Sequence, residues 1–201
     1  MPKKRGKPGR STAPESLVNP VELNPFSSAD DESLRVVIET PKGSRNKFKF
    51  DPELRSYALA KVLPKGLVFP FDFGFVPGTK AEDGDPLDVL VLMDEPTFPG
   101  CVVQARLLGV IEADQEEDGK TERNDRLIAV ALSSLDYAQV KTIDDLDRTV
   151  LDQIGHFFVV YNREAGKTFT VIGRKSHKAA RKNVERHLVD GRRSANKDRA
   201  A

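Results

Sequence analysis

Residues Phe69 to Leu92 read FPFDFGFVPGTKAEDGDPLDVLVL. Within them the run Glu82-Asp83-Gly84-Asp85-Pro86-Leu87-Asp88 leads directly into an apolar strand, Val89-Leu90-Val91-Leu92. Gly84 permits unusual backbone dihedrals and Pro86 fixes φ, so the run reads as a rigid turn. A rigid turn carrying Asp83, Asp85 and Asp88 repels itself unless a cation sits among the carboxylates. Hard divalent cations such as Mg²⁺ take oxygen ligands of this kind, completed by substrate phosphates. The plainer alternative is a solvated acidic loop, since Asp, Gly and Pro are common turn residues. The flanking sequence decides between the two.

Upstream of the turn, Phe69, Phe71, Phe73 and Phe75 recur at every second residue. This is an extended aromatic segment, expected to pack beneath the acidic turn. Before it, Leu34 to Thr40 reads as a strand stopped by Pro41-Lys-Gly43, and Asn46 to Asp51 alternates polar and aromatic residues with period two. Tyr57 to Leu63 completes a meander. Phe48 and Phe50 share one face of the second strand, so Lys47 and Lys49 share the other. That face is either a solvent face, the plainer reading, or a wall for anions.

Downstream, Leu87 to Met93 is a strand and Cys101 to Ala113 a long strand bent near Gly109. Asp114 to Asp125 reads as a charged hairpin loop, with Arg126 to Leu132 as its returning strand. The period then changes. Thr142 and Asp145 form a capping pair. Leu146, Val150, Ile154, Phe157 and Tyr161 mark one face of an amphipathic helix, which Leu151 and Phe158 widen. Gly166 stops it. Lys167 to Gly173 is a last short strand, and His177 to Val189 a second, basic helix. Short strands followed by a long helix imply a mainly β chain with helices (α+β), built as a small barrel with packed helices.

The 201 residues suffice for one domain with tails. Residues 1–33 are expected to be a largely disordered extension, 34–173 the barrel domain, and 174–201 a basic helix and tail. No apolar run approaches the ~20 residues of a membrane span, and the basic N-terminus lacks the apolar core of a secretory signal. The single Cys101 excludes an intrachain disulfide framework, and the chain reads as cytoplasmic. The net charge of +1 combines +5 over residues 1–10, +7 over 174–201 and −11 between them. The basic ends could touch nucleic acid, but solubilising tails are the preferred reading.

Phosphoryl transfer to water needs carboxylates that hold metal ions and cations that hold the phosphates. Asp83, Asp85 and Asp88 suit the first task; Lys47, Lys61 and Arg126 are candidates for the second. There is no P-loop, no nucleophile elbow, no zinc-type spacing and no dinucleotide fingerprint. His156, beside two Phe, reads as structural.

The run from Glu82 to Asp88 resembles the D-G-D-P-x-D signature of the family I soluble inorganic pyrophosphatases. The likeness extends to Val37-Ile-Glu39-Thr-Pro, Lys47-Phe-Lys, Phe73 to Thr79, Pro99-Gly-Cys-Val-Val, Leu108-Gly-Val-Ile and Ile154-Gly-His-Phe-Phe-x-x-Tyr161. It covers about Leu34 to Gly173. It implies a five-stranded OB-like barrel, a Mg²⁺-dependent diphosphatase acting on inorganic diphosphate, and a homo-oligomer. By the same resemblance Asp83 and Asp88 would bind metals and Glu39 a metal or its waters. Asp85 would be the general base or orient the attacking water, and Lys47 and Tyr161 would bind phosphate.

The departures from that pattern are Lys49 for an acidic residue, Lys61 for arginine, Phe69 and Phe73 for tyrosines, Asn124 for a metal-binding aspartate, Arg126 for lysine and Asn162 for lysine. A further aspartate falls on Asp114 or Gln115, with Asp118 or Asp125 as substitutes. Two alternatives stay beside the diphosphatase: hydrolysis of another phosphoanhydride, and a non-catalytic OB-like module binding polyphosphate or nucleic acid.

Overall fold

A run such as Val89-Leu90-Val91-Leu92 has no polar face, so it must be covered on both sides. The computed structural model, which describes residues 19–26 and 33–189, covers it with a barrel interior on one side and a helix on the other. The strands are β1 (Ser33–Thr40), β2 (Asn46–Asp51), β3 (Ser56–Val62), β4 (Asp72–Val76), β5 (Leu87–Leu92), β6 (Val102–Glu117), β7 (Lys120–Arg123), β8 (Arg126–Ala131) and β9 (Thr168–Ser176). The helices are α1 (Arg148–Arg163) and α2 (His177–Arg186). Strands β1, β4, β5, β8 and β6 close into a ring, because β1 pairs with both β4 and β6. Only the β5–β8 pair is parallel. This is the five-stranded OB-like barrel that the sequence resemblance implied.

Val89 and Val91 point inward with Val36, Ile38, Ala105 and Ala129. Leu90 and Leu92 point outward onto Ile154 and Phe158 of α1, with Phe69 and Phe73. The aromatic segment therefore packs mainly against the helix. Gly74 lets β4 approach β1: a Cβ there would lie 2.0 Å from the Val37 carbonyl oxygen.

Several local expectations change. Asp114 to Asp125 is not a loop: β6 runs on to Glu117, turns at Asp118-Gly119, both with positive φ, and returns as β7. Two positive φ values at an Asp-Gly pair make a primed hairpin turn, whose twist suits the strands. The Thr142–Asp145 box caps a 3₁₀ turn, Ile143–Asp145, and α1 starts after it with Asp147 as N-cap. Leu146 thus lies before the helix. His156 is exposed on α1 rather than packed. β9 extends through Ser176, and α2 ends at Arg186. Upstream of β1, Pro20–Glu22 forms a 3₁₀ turn and Phe26 enters the barrel core, with the Arg181 guanidinium 4.2 Å above its ring. Of the extension expected to be largely disordered, residues 1–33, residues 1–18 and 27–32 lie outside the described residues, as does the tail after Val189.

Candidate active site

The acidic turn is closed by its own backbone. Gly84 N–H donates to Ala81 O at 3.1 Å, Ala81 N–H to Asp85 O at 2.7 Å, and Asp85 N–H to Asp83 Oδ1 at 3.0 Å. Gly84 takes φ +89°, which a side chain would oppose. Beneath it the buried Thr79 hydroxyl donates to Val76 O and accepts from Leu87 N–H, tying the end of β4 to the start of β5. Asp83 and Asp85 are exposed at the tip, and Asp88 is half-buried on β5.

Two irregularities in pairing aim the remaining groups. Between β1 and β4 the register slips at Glu39, which is left unpaired between Ile38 and Thr40. Such a bulge redirects a side chain, here into the interior. Glu39 is 6% exposed, and its Oε1 accepts the Phe50 N–H at 2.8 Å. Burial pushes its pKa up to about 7, with Asp88 adding to the rise while the Phe50 N–H and Lys47 oppose it. Between β2 and β3 the register slips after Lys47, which pairs directly with Lys61.

Like charges directly opposite on a sheet repel. Here both lysines sit over an aromatic ring: Lys61 Nζ is 3.7 Å and Lys47 Nζ 5.5 Å from the Tyr161 centroid. Lys47 also lies 5.3 Å from the Phe73 centroid. Burial works to lower the Lys47 pKa, but the Tyr161 side chain, Asp88 and Glu39 outweigh it and hold it above the ordinary lysine value. The second strand's lysine face is thus mixed, with Lys47 part-buried against the rings and Lys49 exposed. Lys49, next along it, places Nζ 2.7 Å from Asp85 Oδ2.

Arg126, at the start of β8, is 4% exposed. Its Nη1 lies 3.0 Å from Asp88 Oδ2 and also donates to Asp125 O and Asn124 Oδ1. The guanidinium stacks 5.0 Å from the Phe158 ring and 5.4 Å from Phe169. The expected phosphate ligand is therefore buried behind Asp88, its Nη1 shared among Asp88, Asn124 and Asp125 while its Nε has no hydrogen-bond partner among the described residues.

The hairpin resolves the open register. Asn124 Nδ2 donates to Gln115 Oε1 at 2.9 Å, so Gln115 and not Asp114 faces Asn124. Asp114 lies 3.6 Å from Arg123 Nη1. Asp125 is engaged by Ala113 N–H, Arg123 and Asn183, and Asp118 sits at the hairpin tip. Asn162 is buried and turned along α1, donating to Phe158 O at 2.8 Å. A cavity of about 330 Å³ runs from Asp83 and Asp88 past Asn124 to Lys182 and Asn183 of α2. The sequence reading missed α2 as a wall; the spacing of Ala180, Val184 and Leu188 was the signal, since all three are buried.

The family model for inorganic pyrophosphatase matches residues 36–190. The chain belongs to the inorganic pyrophosphatase family. The inorganic pyrophosphatase of Synechocystis is 41% identical over 152 residues, which are 76% of this chain and 88% of that protein. That of Haloferax volcanii is 39% identical over 164 residues, 81% of this chain and 89% of its own. Among solved structures, the Thermus thermophilus inorganic pyrophosphatase superposes with TM-score 0.77 at 35% identity, covering 85% of this chain and 97% of that one. The Helicobacter pylori enzyme gives 0.73 at 38% identity, covering 83% and 96%.

Within this pyrophosphatase fold the acidic donors Glu39, Asp83, Asp85 and Asp88 supply oxygen only, the chemistry of a hard divalent cation. They are spread rather than gathered: among the described residues no three His, Cys, Asp or Glu side chains converge as a ready metal site. Protein cations hold two of the carboxylates, Lys49 on Asp85 and Arg126 on Asp88. Among the described residues no helix is long and apolar enough to cross a membrane.

Proposed function

We propose that this chain hydrolyses inorganic diphosphate to two phosphates with Mg²⁺ as its metal. The observation that carries this reading is the nearness of Lys47 to Asp88 and Glu39, which raise its pKa, with Tyr161 beneath Lys47 and Lys61. Glu39, Asp83 and Asp88 would hold the metal, whose oxygen-only donor set fits Mg²⁺. When bound, it supplies acidification of a coordinated water and compensation of phosphate charge.

The chain's own residues do the rest. Lys47 and Lys61 place two fixed positive charges where the phosphate oxygens lie, and an anion between them relieves their mutual repulsion. The Tyr161 hydroxyl donates to a phosphate oxygen. A water oxygen forms a bond to one phosphorus as the bridging P–O bond breaks. The water's proton passes to Asp85, and the bonding electron pair leaves with the second phosphate. Arg126 acts as a positioning residue, fixing Asp88 from behind. The enzyme is taken to work in the cytoplasm, in keeping with its single cysteine, and as a homo-oligomer, for which the exposed Phe98 and Leu135 offer apolar contact.

The test separates chemistry from metal binding. Asp85→Asn should lower turnover about 10²- to 10⁴-fold, the usual worth of a general base. Mg²⁺-dependent thermal stabilisation should stay close to that of the unmodified chain. Equal loss of both would count against the role given to Asp85.

A further inference from the structure

Lys49 shares a face of β2 with Lys47 but stands apart from the aromatic rings. Lys47 and Lys61 are held over aromatic rings, whereas Lys49 is drawn away to Asp85, Nζ to Oδ2 2.7 Å. Its side chain is 48% exposed and that of Asp85 53% exposed. A carboxylate in an ion pair is a weaker ligand than a free one, because its charge is already compensated. Yet a half-exposed pair is screened by water and easily exchanged for a stronger partner. An unsubstituted terminal phosphate carries more negative charge than one carboxylate and presents three oxygens to a flexible ammonium.

We propose that Lys49 is a substrate-sensing, specificity-determining residue: the counter-ion of Asp85 in the free enzyme and a ligand of the terminal phosphate in the complex. Its transfer uncovers Asp85 only when a fully charged phosphate end is in place. Before that, it holds the acidic turn below its full attraction for divalent cations. A phosphate end bearing an organic substituent has one charge fewer and draws Lys49 less, so the device favours inorganic diphosphate over esterified diphosphates. The inference rests on the assignment of Asp85 as proton acceptor.

The test uses binding, so that it does not depend on turnover. Mg²⁺ is titrated calorimetrically into the full chain, Lys49→Met, Asp85→Asn and the double variant, without substrate. Lys49→Met should bind Mg²⁺ about three- to fivefold tighter, the scale of a half-exposed ion pair. In the Asp85→Asn background the same change should give less than about twofold. Inorganic diphosphate is then titrated into Asp85→Asn with and without Lys49→Met, where loss of a charged contact should weaken binding about tenfold. Mg²⁺ affinity unchanged by Lys49→Met, an effect equal in both backgrounds, or diphosphate affinity unchanged would each overturn the proposal. A chain that gives these binding results but releases no phosphate would instead contradict the hydrolytic reading alone.

Discussion

Arg126 Nη1 lies 3.0 Å from Asp88 Oδ2, the arginine side chain 5% exposed and the carboxylate 28% exposed. The guanidinium is enclosed by Phe158 and Phe169, and it also binds the Asn124 side chain. Removing it leaves Asp88 facing a site without its counter-ion. Arg126→Met should therefore lower unfolding free energy by about 3 kcal/mol, the low end for breaking a buried pair, because Asp88 keeps some water. Arg126→Lys restores the charge without the fork and should cost less. Urea unfolding reads both; equal losses would show that the charge on Asp88 is immaterial.

Asn124 Nδ2 donates to Gln115 Oε1 at 2.9 Å, and both side chains are uncharged. Asn124→Asp would put a further carboxylate beside Asp83 and Asp88 on the same cavity. Cation affinity rises with the charge of the ligand set, so Mg²⁺ should bind on the order of tenfold tighter. Calorimetric titration checks this, and unchanged affinity would place the metal away from Asn124.

Tyr161 packs edge-on against Phe69 and Phe158, with ring centroids 5.8 Å and 6.4 Å away. Tyr161→Phe keeps that packing and removes only the hydroxyl. A hydrogen bond to a charged phosphate is worth about 1.5–3 kcal/mol, so kcat/KM for diphosphate should fall roughly 10- to 100-fold. The melting temperature should hardly move. A large drop in melting temperature with little kinetic change would make the ring, not the hydroxyl, its contribution.

Two carboxylates before α1 tie stability to acid. Asp145 accepts the Lys141 and Thr142 N–H groups and Asp147 the Thr149 N–H, and these bonds hold both below the usual aspartate range. Their stabilisation is present above the unfolded aspartate value of about 3.9 and is lost as pH falls through the lower folded values. The Asp145→Asn, Asp147→Asn pair should be less stable at neutral pH, with the gap closing in acid. A gap independent of pH would contradict the argument.

The strands and α1 are legible because their sequence patterns are regular: polar and aromatic residues alternating along β2, a helical repeat through Ile154 and Phe158, and an apolar run at Val89 to Leu92. Closure of the ring was not, since it depends on β1 pairing with two strands at once. Asp114 to Asp125 reads in sequence as a hairpin loop because both faces of its strands are charged, although Asp118-Gly119 is a turn signal. Asp114 and Gln115 could not be separated, because a slip of one residue exchanges the faces of a strand. The fate of Lys49 and Arg126 was hidden for a different reason. Which carboxylate each meets depends on pairings distant in sequence, 36 residues apart for Lys49 and Asp85.

The central claim is that the opposed acidic and basic groups form a working hydrolase site. Phosphate release from inorganic diphosphate by the full chain, measured with Mg²⁺ and with EDTA beside Asp85→Asn, tests it most directly. The expected result is release that requires Mg²⁺ and is lost in Asp85→Asn. Release no faster than in the variant, at any Mg²⁺ concentration, would contradict it.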